Sequence, residues 1–272
     1  MSGSGPRTPR YNLIRLASFD GPWQHWNAQS PCHIIASARL IPIRMNEFHP
    51  HLEILPSAQA RLWLELSALP DQFVLYGGTA LALHLGHRNS VDFDFFAREP
   101  LNLSQLEGEV PFLAGAKIIQ REKNTLTAIV ERGDPVKVSF FGVPKLPQLA
   151  PAHIVEENNL KVASLLDLAG TKASVIQVRA EAKDYVDLDA LMRLGAVDLA
   201  TALSAARALY GSTFNPEVTL KALSYFDDGN LRDLPDDLKL RLVGAAREVD
   251  LDHLPVLGSD FHRTDTDYGM ER

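Results

Sequence analysis

Residues Ser90 to Phe96 read Ser-Val-Asp-Phe-Asp-Phe-Phe, and this alternation constrains the fold more than any other stretch of the chain. A period of two is a strand period, because successive side chains on extended backbone point to opposite faces. Asp92 and Asp94 are therefore expected on one face, with Val91, Phe93 and Phe95 on the other. Upstream, Phe73-Val74-Leu75-Tyr76 is a short apolar run closed by Gly77-Gly78, which predicts a buried strand followed by a sharp turn. Thr79 to Gly86 is rich in helix formers and ends in glycine, so a short helix is expected after the turn.

Around this unit the pattern divides the chain in two. Ser57 to Leu69 predicts a short helix, and Leu103 to Val110 another. Ala116–Glu122, Leu126–Glu131 and Val136–Phe141 are strand candidates, separated by turn residues at Asn124 and at Gly133-Asp134-Pro135. Pro144, Pro147 and Pro151 then space out a hinge, the best domain boundary in the chain. Beyond it the signal is almost purely helical. Helices are expected over Leu165–Arg179, Lys183–Leu194, Leu199–Leu209, Pro216–Phe226 and Pro235–Glu248, and Ser164-x-x-Asp167 resembles a capping box. The expected organisation is a disordered leader or early start over 1–44, with Met45 as the true beginning. A sheet domain over 45–145, a helical domain over 152–257 and a frayed tail over 258–272 follow.

Composition narrows the classes. With 272 residues, 46% hydrophobic and 22% charged, the chain has material for one large or two small cores. No run approaches the roughly 18 apolar residues of a membrane span, so no membrane partner is expected. A single cysteine, Cys32, excludes an intrachain disulfide and a four-cysteine zinc site, and fits a reducing cytoplasm. The formal net charge is −7, although residues 1–44 hold five arginines against one aspartate. The body is thus strongly acidic. It does not look like a general nucleic-acid binder, which gains affinity by neutralising phosphates. Its acidity suits metal binding or a basic partner protein, and any RNA would need a local basic groove.

The chemistry-bearing constellation is Gly77-Gly78-Thr79, a short helix, and then the paired aspartates. The glycines let another group approach the main chain. The free N–H groups of a helix start form a phosphate seat, to which the Thr79 hydroxyl adds a donor. Asp92 and Asp94, side by side, repel each other unless a cation sits between them, and Mg²⁺ (or Mn²⁺) prefers such oxygen ligands. A phosphate cradle beside a divalent-metal pair is the equipment for in-line attack on an α-phosphate. Further along, Lys172 and Arg179 are seven residues apart and would share a helix face, as would Asp184 and Asp187. Lys183 could pair with Asp187 at i,i+4.

Tyr76-Gly77-Gly78-Thr79-Ala80 followed by His87-Arg88-Asn89-Ser90-Val91-Asp92-Phe93-Asp94 resembles the first motif of the AbiEii/AbiGii-type nucleotidyltransferases. Ala169-Gly170-Thr171-Lys172-Ala173 with Arg179 is similar to their second motif, and Lys183-Asp184-Tyr185-Val186-Asp187 to a third. The resemblance spans Met45 to the helices after Leu194. It implies an α+β fold: a polymerase-β-like nucleotidyltransferase mixed sheet with a C-terminal helical domain. It also implies an enzyme that moves a nucleoside monophosphate from a nucleoside triphosphate to an acceptor, releasing pyrophosphate. The biological role implied is the toxin of a toxin–antitoxin pair, with tRNA as acceptor and a cognate antitoxin as partner.

On this resemblance Asp92 and Asp94 hold Mg²⁺, and Gly77, Gly78, Thr79, Arg88, Ser90, Lys172 and Arg179 contact nucleotide. Asp184 or Asp187 completes the metal site or deprotonates the acceptor. One departure stands out. Polymerase-β-like enzymes usually place a third carboxylate on a later strand, but Val136–Phe141 offers only Lys137 and Ser139. Three outcomes stay open: Asp184 or Asp187 replaces it, a second metal binds weakly, or only nucleotide or partner binding survives. A small-molecule nucleotidyltransferase would share the same catalytic half.

Overall fold

The computed structural model describes residues 48–257; the leader, Cys32 and the tail over 258–272 lie outside the described residues. In chain order the main elements are α1 (Ser57–Trp63), β1 (Val74–Tyr76), α2 (Gly77–Leu85), β2 (Asp92–Ala97) and α3 (Leu103–Glu109). Next come β3 (Lys117–Glu122), β4 (Thr125–Glu131), β5 (Pro135–Gly142), β6 (His153–Ile154) and β7 (Lys161–Val162). The helical half holds α4 (Leu165–Val175), α5 (Ala182–Leu194), α6 (Leu199–Tyr210), α7 (Pro216–Ala222) and α8 (Asp236–Glu248). The strands form one mixed sheet in the order β3-β4-β5-β2-β1-β7-β6. This is the α+β architecture expected, a nucleotidyltransferase-like sheet followed by a helical bundle.

Strand β2 lies at the centre, antiparallel to β1 and parallel to β5. Its aromatic face carries the core. Phe93 and Phe95 are fully buried, their rings 6.3 Å apart, and Phe95 continues to Phe140 of β5 at 5.5 Å. Trp63 of α1 covers Phe93 at 6.5 Å, so α1 seals this side. Val91 precedes the strand and is 52% exposed, so the alternation stops one residue short of the sequence expectation. The other face, with Asp92 and Asp94, is free for chemistry.

Helix α2 is buried from Thr79 to Leu83 and packs against β1, β2, α4 and α5. His84 near its end is a packed neutral histidine. Its Nε2 meets the Ala163 carbonyl at 2.8 Å, its ring lies against Phe48 and His153, and burial pushes its pKa down to about 4.

Two expectations need correcting. The chain after Pro151 is not purely helical, because β6 and β7 rejoin the sheet and β7 pairs in parallel with β1. Two-residue strands are too short to leave a periodic signal. Helix α4 ends at Val175 rather than Arg179, and α7 at Ala222 rather than Phe226. The start of α4 is well specified. Ser164 caps it by accepting from the Asp167 N–H at 3.1 Å. The buried Asp167 carboxylate accepts from Ser164 Oγ and from the Leu149 and Ala150 N–H groups, tying the proline-spaced segment to the helix.

Helices α4 and α6 meet closely at Gly170. A Cβ there would stand 2.8 Å from the Ala205 carbonyl carbon and from Leu209 Cδ1, and 2.9 Å from the Ala206 nitrogen. Gly170→Ala should therefore push the helices apart and cost about 1–3 kcal/mol. Urea unfolding followed by circular dichroism measures it; an unchanged midpoint would show that the helix pair yields freely.

Candidate active site

The register of the central strands sets the floor of a cleft. Asp94 lies opposite Tyr76 on one side and Ser139 on the other, and Asp92 lies opposite Lys137. The Lys137 ammonium donates to Asp92 Oδ2 at 2.8 Å. Burial, and then the neighbouring Asp92 charge, push the Asp94 carboxyl above the usual aspartate range, although Lys137, Ser139 and Lys172 pull the other way. A buried carboxylate beside a second one, of which only Asp92 is paired with Lys137, is what a hard cation relieves, and the donor set is oxygen, so the residues fit Mg²⁺ or Mn²⁺. Among the described residues no three His, Cys, Asp or Glu side chains gather as a ligand cluster. Water and substrate phosphate would have to complete the coordination, as is usual for Mg²⁺.

Gly77 lets α2 start at this point. Its φ is +74°, and a Cβ would stand 2.6 Å from Asp94 Oδ2, so any side chain would be strained and would collide with the carboxylate. Gly77 and Gly78 both open onto the cleft, which encloses about 690 Å³. That volume suits a nucleotide-sized ligand. Thr79 is placed differently from the sequence expectation. It is buried, and its hydroxyl donates to the Asp92 carbonyl and meets Ser90 Oγ at 2.8 Å. It therefore fastens α2 to β2 rather than facing a phosphate. Ser90 lines the cleft.

The helical half supplies the opposite wall, built on two fully buried carboxylates. Asp187 accepts from His87 Nε2 at 2.7 Å and from Arg88 through Nε at 2.6 Å and Nη2 at 2.9 Å; Lys172 Nζ lies 2.5 Å away. Asp184 accepts from Lys172 at 2.9 Å and from Arg179 Nε at 2.8 Å. Burial alone would raise both carboxyls. The hydrogen bonds from Arg179 to Asp184, and from His87 and Arg88 to Asp187, outweigh it with help from Lys172, and both sit below the ordinary range. Three cations thus ride on two carboxylates, which leaves a positive wall facing the acidic floor.

The wall corrects the sequence geometry while gathering the same residues. Arg179 lies beyond the end of α4, so it does not share a helix face with Lys172; the two converge because both reach Asp184. Lys183 pairs with Glu181 at 2.9 Å instead of Asp187. The oxygens of Asp184 and Asp187 are taken up by cations and do not line the cleft, whereas Arg88, Lys172, Arg179 and Lys183 do. His87 as a partner of Asp187 was not foreseen; its adjacency to Arg88 was the available signal. Tyr210 of α6 also lines the cleft, with no local signal in the sequence. Burial, and then Asp167, push its phenol up to about 12.

Residues 61–255 match the family model described as nucleotidyl transferase AbiEii toxin, Type IV TA system. An uncharacterized protein of Aquifex aeolicus (strain VF5) is 31% identical over 160 residues, which is 58% of this chain and 75% of the relative. A solved structure of MenT4, a nucleotidyltransferase toxin of Mycobacterium tuberculosis H37Rv, is 15% identical. It superposes with a TM-score of 0.49 over 71% of this chain and 84% of that one. No helix among the described residues is long and apolar enough to cross a membrane.

Proposed function

The chain belongs to the nucleotidyl transferase AbiEii toxin family, and from that premise we propose that it transfers a nucleoside monophosphate from a nucleoside triphosphate to an acceptor hydroxyl. Pyrophosphate is the leaving group, as attack at the α-phosphate requires. The observation that carries this reading is the pair Asp92 and Asp94 on one open sheet face, beneath Lys172 and beside the glycine-opened start of α2.

Each residue has a task in this scheme. Asp92 and Asp94 would hold the divalent cation, which when bound neutralises phosphate charge and orients the α-phosphate. Gly77 and Gly78 let phosphate oxygens approach the first N–H groups of α2. Lys172 and Arg179 face the triphosphate as a positive wall and stabilise charge that develops on the leaving group. Asp184 and Asp187 act as positioning residues, because their oxygens are committed to those cations. Arg88, bidentate on Asp187, orders the approach to Gly78.

The acceptor we propose is the end of a tRNA, reached by a short contact, since the acidic body disfavours a broad RNA footprint. The setting proposed is cytoplasmic, with growth arrest relieved by a cognate antitoxin. The test is incubation with each α-labelled nucleoside triphosphate, Mg²⁺, and either total RNA or a protein extract. Label entering RNA, with pyrophosphate released, is the expected result. Nucleotide bound without transfer to any acceptor would replace this reading with a binding protein, and label on small molecules alone would replace the acceptor.

A further inference from the structure

Strand β5 carries a cation where the open face most needs a ligand. Its register sets Lys137 directly beside Asp92, and the ammonium takes Asp92 Oδ2 at 2.8 Å. Lys137 is 40% exposed along its side chain and Asp92 30%, so this pair lies at the mouth of the cleft and is not locked in the core. Ser139, beside Asp94, is neutral. The floor of the cleft therefore offers two carboxylates, and one of them already serves a positive charge. Phosphoryl-transfer sites that use two cations hold them roughly 3.5–4 Å apart, between shared carboxylates. A second dication that close would face the Lys137 ammonium across Asp92, and among the described residues no further Asp or Glu lines the cleft to offset it.

We propose that Lys137 is a built-in monocation of this site, so that the nucleotide-bound chain takes one divalent cation instead of two. The inference rests on the nucleotidyl-transfer reading and deepens it. Asp92 has a divided role: its carboxylate stays paired with Lys137 and, together with Asp94, would hold the single ion. Lys137 then supplies, as part of the chain, positive charge beside Asp92 that a second ion would otherwise bring.

Counting ions tests this without reference to turnover. The full chain is dialysed to equilibrium against Mn²⁺ with an equimolar mixture of the four α,β-methylene nucleoside triphosphates on both sides. The excess Mn²⁺ and excess nucleotide retained per chain are then measured. One Mn²⁺ per chain is expected for the wild type, and more than one for Lys137→Met, which removes the charge, frees Asp92 Oδ2 and adds no oxygen donor. Two are expected for Lys137→Glu, which restores an acidic oxygen donor beside Asp92. Two Mn²⁺ in the wild type, with nucleotide retained, would overturn the single-cation inference and leave the transfer reading standing. Neither metal nor nucleotide retained would overturn both. A Lys137→Glu chain that retains nucleotide but only one Mn²⁺ would show that the lysine is not what sets the count.

Discussion

Asp187→Ala should cost about 3–5 kcal/mol of stability, the range for removing one partner from a buried ion pair. The side chain is fully buried and meets three separate cationic or ring groups, His87, Arg88 and Lys172. Truncation leaves the Arg88 guanidinium without its bidentate partner and Lys172 with Asp184 alone. Most of the loss is therefore an uncompensated charge in the protein interior, added to whatever contact energy disappears. The cleft should suffer too, because Lys172 and Arg88 lose the anchor that points them at the ligand. Urea unfolding at neutral pH measures the first effect, and nucleotide retention on dialysis the second. A loss below about 1 kcal/mol, the level of an exposed surface pair, would show that the network does not hold the helical half against the sheet.

The same network gives an acid dependence with a definite sign. Asp184 and Asp187 are held below the ordinary carboxylate range, so each ionises more readily folded than unfolded. Their stabilisation is present above the unfolded aspartate pKa of about 3.9 and is lost as pH falls from there toward the folded values. Wild-type stability should decline across that window, and Asp187→Ala should decline less steeply.

Asp94→Asn should abolish Mg²⁺-dependent transfer, by at least about a thousandfold on the proposed mechanism, and yet melt higher than the wild type at pH 7. The two effects share one cause. Burial and the Asp92 charge disfavour the ionised Asp94 carboxylate in the fold. A carboxyl with a raised folded pKa penalises the native state fully above that pKa, and the penalty fades as pH falls toward the unfolded value. The amide removes the charge while keeping the shape beside Ser139. Its advantage in Tm, on the order of a few degrees for a chain of this size, should shrink on acidification. A variant that melts lower at pH 7, or that still transfers label, would remove Asp94 from the role proposed. The stored repulsion is the condition that a cation would relieve, which is why activity and stability are expected to move in opposite directions.

The elements of the cleft were largely legible in the sequence. Alternation from Asp92 to Phe96 fixes which side chains share a face, because strand geometry leaves only two faces. Gly77 marks a turn that no other residue could make beneath Asp94. Who meets whom was less legible. Lys172 and Arg179 converge on Asp184 by a route the helical spacing did not describe, since α4 stops at Val175. Lys183 prefers Glu181, and Thr79 turns inward to the Asp92 carbonyl.

Local periodicity, turn chemistry and composition thus determined the strand with two carboxylates, the glycine opening and the helical second half. Only the tertiary structure decided that Asp184 and Asp187 serve cations, that Lys137 occupies Asp92, and that His87 completes the buried network. The reason is physical. A residue's face depends on its own backbone and is set within a few positions. The partner of a charge is chosen by which pairing best offsets the desolvation of burying it, and that partner can be as near in sequence as Arg179 is to Asp184 or as distant as Arg88 is from Asp187.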